Sequence, residues 1–266
     1  MFCFVMALKS QSVSSNWESV CRILEKTLRS VCAQTDSNLR VFVVCHEIPQ
    51  LAGFSDPRVE FLSVDFPAPD LSQKKSRQED KFKKLAVGLS RARDFNPDFL
   101  MLMDADDLVS RRLVEYAHAH PNANGWAFEK GYTYDAGSPW LFLRNDLYKV
   151  CGTSAVINAR LVELPEDPVR DFEECVILRY GHTAIRGQLD SRGTPLEPLP
   201  FPGAIYVLSH GENNASHLRQ PSGIKQPTTL LDHVRQILGN QRRFITTLPQ
   251  RKLATSALRR EFSLTK

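Results

Sequence analysis

The sequence lacks the features of a membrane, secreted or nucleic-acid-binding protein. No hydrophobic run approaches the roughly 20 residues that span a bilayer. The apolar opening, residues 1–8, has no positive n-region and no small-residue cleavage site, which disfavours a signal peptide. None of the six cysteines forms a C-x-x-C pair, and most lie among apolar residues, as in a reduced, cytoplasmic protein. A net charge of +4 is too small to indicate nucleic acid.

The composition is that of an ordinary globular protein, but its basic charge is clustered. The 266 residues are 42% hydrophobic and 24% charged, with no internal repeat, and suffice for one large α/β domain or two small ones. One basic cluster spans residues 74–93 and a second spans residues 235–260. Neither has the interleaved aromatics that single-stranded nucleic acids require, so no nucleic-acid partner is predicted.

Apolar segments alternate with amphipathic segments in the first half of the chain. The predicted strands cover residues 2–8, 40–45, 59–64 and 99–103, and the predicted helices cover residues 17–33, 78–93 and 109–118. Asn16 is the expected cap of the first helix. This order predicts a mainly parallel α/β sheet with helices on both faces, in which ligands bind beyond the carboxyl ends of the strands.

The second half mixes shorter elements. Strands are predicted at residues 125–134, 155–157 and 204–208, and a helix at residues 171–180. The residues after about 225 are predicted to form a helical tail with a basic surface. We therefore divide the chain into an α/β domain of residues 1–225 and a basic helical C-terminal tail of residues 226–266.

Three carboxylates follow the fourth predicted strand. The apolar residues 99–103 lead directly into Asp104, Asp106 and Asp107. Like charges this close repel one another and are costly to bury, so a cation is expected beside them. A divalent metal that holds a phosphate-bearing ligand fits, because hard cations take oxygen ligands. The alternative is a helix N-terminus, where aspartates cap the backbone and complement the dipole.

In these features the chain resembles the nucleotide-sugar glycosyltransferases of the GT-A fold, and family 2 in particular. The resemblance rests on the order of elements, on the D-x-D motif Asp104-Ala105-Asp106 after the fourth strand, and on the basic helix at residues 80–88. It covers residues 1–220 approximately and implies a Rossmann-like sheet. It also implies a hexosyltransferase that moves a sugar from a nucleoside-diphosphate donor to a glycan or lipid-linked acceptor, in cell-surface polysaccharide biosynthesis.

The resemblance also implies a metal site. Asp106 would bind Mn²⁺ or Mg²⁺, Asp104 would bind the metal or the donor ribose, and Asp107 could instead cap the next helix. The metal would stabilise the charge that develops on the departing diphosphate. His210, after the last predicted strand, is the expected third ligand and favours Mn²⁺. The alternatives are a surface position for His210, or His217 in its place.

Further donor contacts are expected from Lys9, Glu47, Lys81 and Lys84. Lys9 and Glu47 follow the first and second strands. The family often places an acidic residue against the base at the second of these positions, where this chain has His46-Glu47, so the base stays open. Lys81 and Lys84 lie three apart on one helix face and could reach the phosphates. The alternative for both is a solvated basic face.

An inverting enzyme also needs a base for the acceptor hydroxyl. Relatives place a Glu-Asp pair at the start of a helix, with an Arg a few residues later. Glu174 or Glu173 is the predicted base here, with Asp171 behind them and Arg179 following. His182 is a further acid–base or acceptor candidate. The alternative for the acids is the favoured first turn of a helix.

Two other functions share parts of this pattern. A phosphohydrolase of the haloacid dehalogenase type also has D-x-D after a strand, but its first Asp lies close to the N-terminus, whereas three strands precede the motif here. The other is a non-catalytic nucleotide-sugar-binding module. A nucleotidyltransferase would need a Gly-rich loop, which residues 8–12 do not supply. The basic tail either contacts the inner face of an anionic membrane or is a solvated helix face.

Overall fold

The computed structural model describes residues 1–179, 181–208 and 250–264. Strands and helices alternate in its first hundred residues. They are β1 (Phe2–Ala7), α1 (Trp17–Cys32), β2 (Leu39–Cys45), β3 (Val59–Ser63), α2 (Lys74–Arg93) and β4 (Phe99–Asp104).

Shorter elements follow. They are β5 (Leu108–Val109), α3 (Leu113–His118), β6 (Gly125–Ala127), β7 (Gly131–Asp135), β8 (Trp140–Arg144), β9 (Ala155–Asn158), α4 (Val176–Arg179), α5 (Gly181–Ser191), β10 (Glu197–Pro198), β11 (Ala204–Leu208), β12 (Arg251–Leu253) and α6 (Ser256–Phe262).

The central sheet has seven strands in the order β10-β6-β9-β4-β1-β2-β3. Strands β3, β2, β1 and β4 are parallel neighbours, and β9 runs antiparallel to both β4 and β6. The chain moves from β1 outward to β3 and then returns to place β4 on the other side of β1. The gap between the ends of β1 and β4 is therefore the switch point at which α/β sheets bind ligands.

Both faces of this sheet are covered. In β1, Phe2, Phe4 and Met6 pack with α1 and α3, whereas Cys3 and Val5 pack with α2, α4 and α5. This two-sided burial explains why the strand is continuously apolar. The predicted α/β class, with a mostly parallel sheet between helices, is confirmed.

Local features hold the covering helices in place. The Asn16 side chain accepts a hydrogen bond of 2.9 Å from the Ser19 N–H and caps α1, as predicted. Gly88 lets α2 approach β1 closely, because a Cβ at this position would lie 2.4 Å from Val5 Cγ1. Helix α2 begins at Lys74, four residues earlier than predicted.

A second sheet packs beside the first, in the order β12-β8-β7-β11-β5. The predicted strand 125–134 is in fact two strands, since β6 belongs to the first sheet and β7 to the second. The predicted helix 109–118 is wrong at its start, because Leu108 and Val109 pair antiparallel with β11. The predicted helix 171–180 is a 3-10 turn, Phe172–Glu174, followed by the short α4.

The C-terminal tail is described only from residue 250. There β12 pairs antiparallel with β8, and α6 buries Phe262 against the second sheet. Arg251–Leu253 is thus a strand, and Ser256–Phe262 is helical. Residues 209–249 lie outside the description, so the division at residue 225 stays a prediction. In the described ranges, no helix is both long enough and apolar enough to cross a membrane.

Candidate active site

A cleft of about 220 Å³ opens at the switch point, and we call it the first cleft. Lys9 follows β1, Asp104 ends β4, and Asp106 lies two residues beyond. Arg77 and Lys81 reach the same cleft from α2. Apolar residues complete its walls, among them Val13, Val20, Ile23 and Leu71. Charged groups of both signs therefore meet an apolar slot at the ends of the parallel strands.

A larger cleft of about 540 Å³ adjoins it, between α2 and α5, and we call it the second cleft. Arg77, Lys81 and Asp104 line both clefts, so the two meet at these residues. Glu173 and His182 line the second cleft but not the first. Its floor is apolar and includes Phe82, Leu102, Phe172, Ile177 and Ile185.

Asp104 is held from three sides. Its carboxylate forms a short ion pair with the Lys81 ammonium. Its backbone N–H donates to Thr153 Oγ1 at 2.9 Å. Gly152 lies against the carboxylate, and a Cβ there would be 2.5 Å from Asp104 Oδ2. Burial opposes the charged form of Asp104, but Lys81 outweighs it and holds the pKa of this carboxyl below its usual range.

Asp107 is completely buried and hydrogen-bonded within the protein. Its Oδ2 accepts from Thr153 Oγ1 at 2.6 Å and from Cys151 Sγ at 3.2 Å. Its Oδ1 accepts from the Val207 N–H at 3.2 Å, which ties the second sheet to the end of β4. Burial, with the nearby Asp106 and Asp104 charges, raises the pKa of Asp107 well above its usual range.

The acidic cluster is not a helix cap. Helix α3 begins at Leu113, six positions after Asp107, and Arg112 occupies its N-cap position. The predicted capping role of Asp107 is therefore wrong, because β5 intervenes between the cluster and the helix. The capping alternative for the whole cluster falls with it.

The carboxylates fit a divalent metal. One ligand oxygen each from Asp104, Asp106 and Asp107 lies within 4.8 Å of the others. Oxygen donors at this spacing suit Mg²⁺ or Mn²⁺. Asp104 and Asp106 line the first cleft, whereas Asp107 is buried beside it and already accepts three hydrogen bonds. The predicted third ligand, His210, and its substitute His217 lie outside the described residues.

The two predicted lysines of α2 have different environments. Lys81 lines both clefts, whereas Lys84 is completely buried. The Lys84 ammonium donates to the Leu8 carbonyl and to Asp80 Oδ2, each at 2.9 Å. Lys84 thus anchors α2 to the end of β1, and the structure contradicts its predicted contact with donor phosphates. Lys9 lies in the first cleft, where its prediction requires it.

Glu47 supports the cleft from behind. Its carboxylate accepts hydrogen bonds from Ser10 Oγ at 3.1 Å and from the Gln11 N–H at 2.9 Å. In the described part of the chain it lines neither cleft. Glu47 thereby fixes the loop that carries Ser10 into the first cleft, and its contact with the nucleotide base stays a prediction.

The three acidic residues predicted as candidates for the general base lie in different places. Glu173 lines the second cleft, whereas Glu174 and Asp171 are not among the described residues that form it. Asp171 pairs with Arg170 at 2.5 Å, and this hydrogen bond lowers the pKa of Asp171. His182 lies in the second cleft, where burial lowers its pKa and the Asp104 charge opposes that effect. Of the three acids, the structure brings Glu173 to the site.

Sequence reasoning missed Arg77, Tyr206, Thr153 and Gly152. Arg77 lies one helical turn before Lys81, and its Nε is buried with no hydrogen-bond partner among the described residues. The i,i+4 spacing to Lys81 could have identified it. Tyr206 lines the first cleft from β11. Its burial raises its pKa most, and the nearby charges of Asp107 and Asp106 raise it further. Thr153 and Gly152 carry no local signal, since they reach Asp104 through the tertiary fold.

Comparisons with known proteins identify no family for this chain. No protein-family model and no curated protein matches it. Among solved structures, residues 1–349 of S. aureus TarS share 10% identity at a TM-score of 0.47, over 77% of this chain and 60% of that one. The same TarS region in complex with UDP shares 10% identity at a TM-score of 0.46, over 78% of this chain and 60% of that one. A proposed nucleotide-diphospho-sugar transferase from Desulfovibrio desulfuricans G20 shares 10% identity at a TM-score of 0.37, over 91% of this chain and 97% of that one.

The chain thus spans about 60% of the TarS 1–349 chains that it matches. Identities of this size, at TM-scores below 0.5, assign no activity.

Proposed function

We propose that this protein is a metal-dependent glycosyltransferase that uses a nucleoside-diphosphate-sugar donor. One observation carries the proposal: the carboxylates of Asp104 and Asp106 and the cations Lys9, Arg77 and Lys81 line one cleft at the switch point of a parallel sheet. Carboxylates hold a hard metal, and cations beside them pair with phosphate oxygens. This combination suits a ligand that carries a diphosphate.

The residues would divide the donor between them. Asp104 and Asp106 would hold Mn²⁺ or Mg²⁺, and the bound metal would supply charge stabilisation to the departing diphosphate. Arg77 and Lys81 would pair with the phosphate oxygens from the α2 side. The apolar slot at Val13, Val20 and Ile23 would take the base. The acceptor hydroxyl oxygen would form the new bond to the anomeric carbon of the sugar, the C–O bond between sugar and diphosphate would break, and the diphosphate would leave with that bonding electron pair.

The acceptor would enter through the second cleft, which meets the first at Lys81 and Asp104. Glu173 or His182 would take the proton of the attacking acceptor hydroxyl, since both line this cleft. A neutral imidazole at pH 7 suits this task, in keeping with the lowered pKa of His182. A glycan or lipid-linked acceptor, a role in polysaccharide assembly, and membrane contact through the basic tail remain proposals that rest on the resemblance.

Donor turnover tests the proposal. The full chain would be incubated with UDP-, GDP-, CDP- and dTDP-sugars, with Mn²⁺ or EDTA, and release of the nucleoside diphosphate followed by chromatography. Release from one donor that needs Mn²⁺ and is lost in Asp106→Asn, but kept in the exposed control Asp65→Asn, supports the transferase. Binding without turnover, with or without added glycan acceptors, would instead identify a binding module. Release of phosphate from p-nitrophenyl phosphate would point to a phosphohydrolase.

A further inference from the structure

The ion pair between Lys81 and Asp104 lies where the two clefts meet. The Lys81 side chain is 39% exposed and that of Asp104 is 27% exposed, so both are accessible from the clefts. The ammonium contacts Oδ1, whereas Oδ2 faces Gly152. Gly152 and the Thr153 hydroxyl limit movement of Asp104, so Lys81, on its flexible stem, is the member of the pair that can move away.

A cation that enters this site competes with Lys81. Asp104 and Asp106 are the cluster's carboxylates in the first cleft, whereas Asp107 is buried and accepts three hydrogen bonds from the protein. The Lys81 ammonium offsets one of those two negative charges. A positive charge within hydrogen-bonding distance of a ligand carboxylate weakens the attraction of that carboxylate for a second cation.

We propose that Lys81 is an exchangeable counter-ion: it holds Asp104 while the site is empty and releases it when a divalent cation takes that carboxylate. The freed ammonium then pairs with the diphosphate of the donor in the first cleft, beside Arg77. The flexible four-carbon stem of lysine permits this movement without a shift of α2. The second step rests on the proposed function, whereas the first concerns only a metal and this chain.

The exchange predicts opposite effects of one substitution. Without Lys81, Asp104 loses the ammonium that pairs with it among the described residues, so affinity for the metal alone should rise. The diphosphate then lacks one of its cations, so affinity for a nucleotide in the presence of metal should fall. A lysine that only stabilised the fold would change both affinities in the same direction when removed.

The experiment is Mn²⁺ binding by calorimetry to the full chain, without nucleotide. We expect Lys81→Met to bind Mn²⁺ about tenfold more tightly than the wild type, because one adjacent positive charge is removed. Lys81→Arg should stay near the wild type, since it keeps the charge. Lys83→Met is the matched control: it removes one charge from the same helix, outside both clefts, and should change Mn²⁺ affinity by less than about twofold.

The second arm measures UDP and GDP binding at saturating Mn²⁺. Lys81→Met should weaken binding of the preferred nucleotide about tenfold. Circular dichroism melting checks that a loss of nucleotide affinity does not come from unfolding. Lys81→Gln serves as a second, polar variant without the charge, in case Lys81→Met fails to fold. An unchanged or weaker Mn²⁺ affinity in Lys81→Met overturns the proposed exchange. It is also overturned if neither the wild type nor any of the variants binds Mn²⁺. If the metal arm succeeds while no nucleotide binds to the wild type, the exchange stands at Asp104 and the proposed function fails.

Discussion

The Thr153 hydroxyl donates a hydrogen bond of 2.6 Å to the buried carboxylate of Asp107. The same hydroxyl accepts from the backbone N–H of Asp104 at 2.9 Å. One side chain therefore sets the end of β4 against the carboxylate that ties it to β11. The position of Asp104, and with it the candidate metal site, depends on this contact.

Thr153→Val should be destabilising and should also weaken metal binding. Valine has nearly the same shape but no hydroxyl, so the Asp104 N–H and Asp107 Oδ2 each lose a partner. We expect a loss of about 1–3 kcal/mol in the free energy of unfolding, measured in urea. Thr153→Ser keeps the hydroxyl and is the control. Equal stability of the Val and Ser variants would contradict this role of Thr153.

Gly152→Ala should damage the site more than the fold. The added Cβ would lie 2.5 Å from Asp104 Oδ2, so the carboxylate has to move. We expect Mn²⁺ affinity to fall by about tenfold or more, which corresponds to about 1.4 kcal/mol. The control is Gly187→Ala in α5, where, apart from the helix's own backbone and the adjacent residues, no atom of the described residues lies within 4 Å of the new Cβ and alanine favours the helix. Unchanged Mn²⁺ affinity in Gly152→Ala would show that Asp104 does not bind the metal.

The assignment of the general base that acts on the acceptor hydroxyl is tested by comparing the kcat values of variants. Glu173→Gln or His182→Gln should lower kcat by about 10²–10⁴-fold with little change in donor binding, because the base acts on the acceptor. Glu174→Gln should keep kcat near the wild type, since Glu174 is not among the described residues of the second cleft. A loss confined to Glu174→Gln would reverse the assignment.

Asp56 should contribute stability that depends on pH. Hydrogen bonds from Arg58, one of them 2.7 Å long, lower the pKa of Asp56 to about 2. A lowered folded-state pKa means that this stability is present above the unfolded value of about 3.9 and is lost as pH falls through about 2. We expect Asp56→Asn to cost about 1 kcal/mol at pH 7.

That difference should shrink as the pH falls from about 4 to about 2. Urea unfolding across this range would measure it, with Asp65→Asn as an exposed control. A constant difference over the whole pH range would show that the charge of Asp56 is not responsible.

The elements predicted best from sequence are those buried on both faces. Helices cover each side of the sheet, so strand β1 is apolar throughout and β2 and β4 are apolar except for Arg40 and the terminal Asp104. Strand β5 has two residues and leads toward a helix, so periodicity could not separate it from α3. Strands β6 and β7 lie close in sequence but belong to different sheets, a distinction that only tertiary pairing makes.

The same limit applies to the site. Asp104 and Asp106 could be predicted because a carboxylate after a buried strand is costly without a partner. Lys81 and Lys84 look alike on a helical wheel, yet Lys84 is buried and donates a hydrogen bond to the Leu8 carbonyl just after β1. Glu47 follows its strand as expected but bonds Ser10 across the loop. In each case a contact distant in sequence decides the role.

Binding of nucleotide donors to the wild type and to Asp106→Ala tests the central claim most directly. Calorimetry with a panel of UDP-, GDP-, CDP- and dTDP-sugars, each with and without Mn²⁺, gives the affinity and identifies the base. We predict tight binding of one nucleotide class that needs Mn²⁺ and is lost in Asp106→Ala, while the mutant keeps its fold. A folded wild-type protein that binds none of these donors, or binds them equally well without Mn²⁺ and without Asp106, would contradict the proposed metal-dependent donor site.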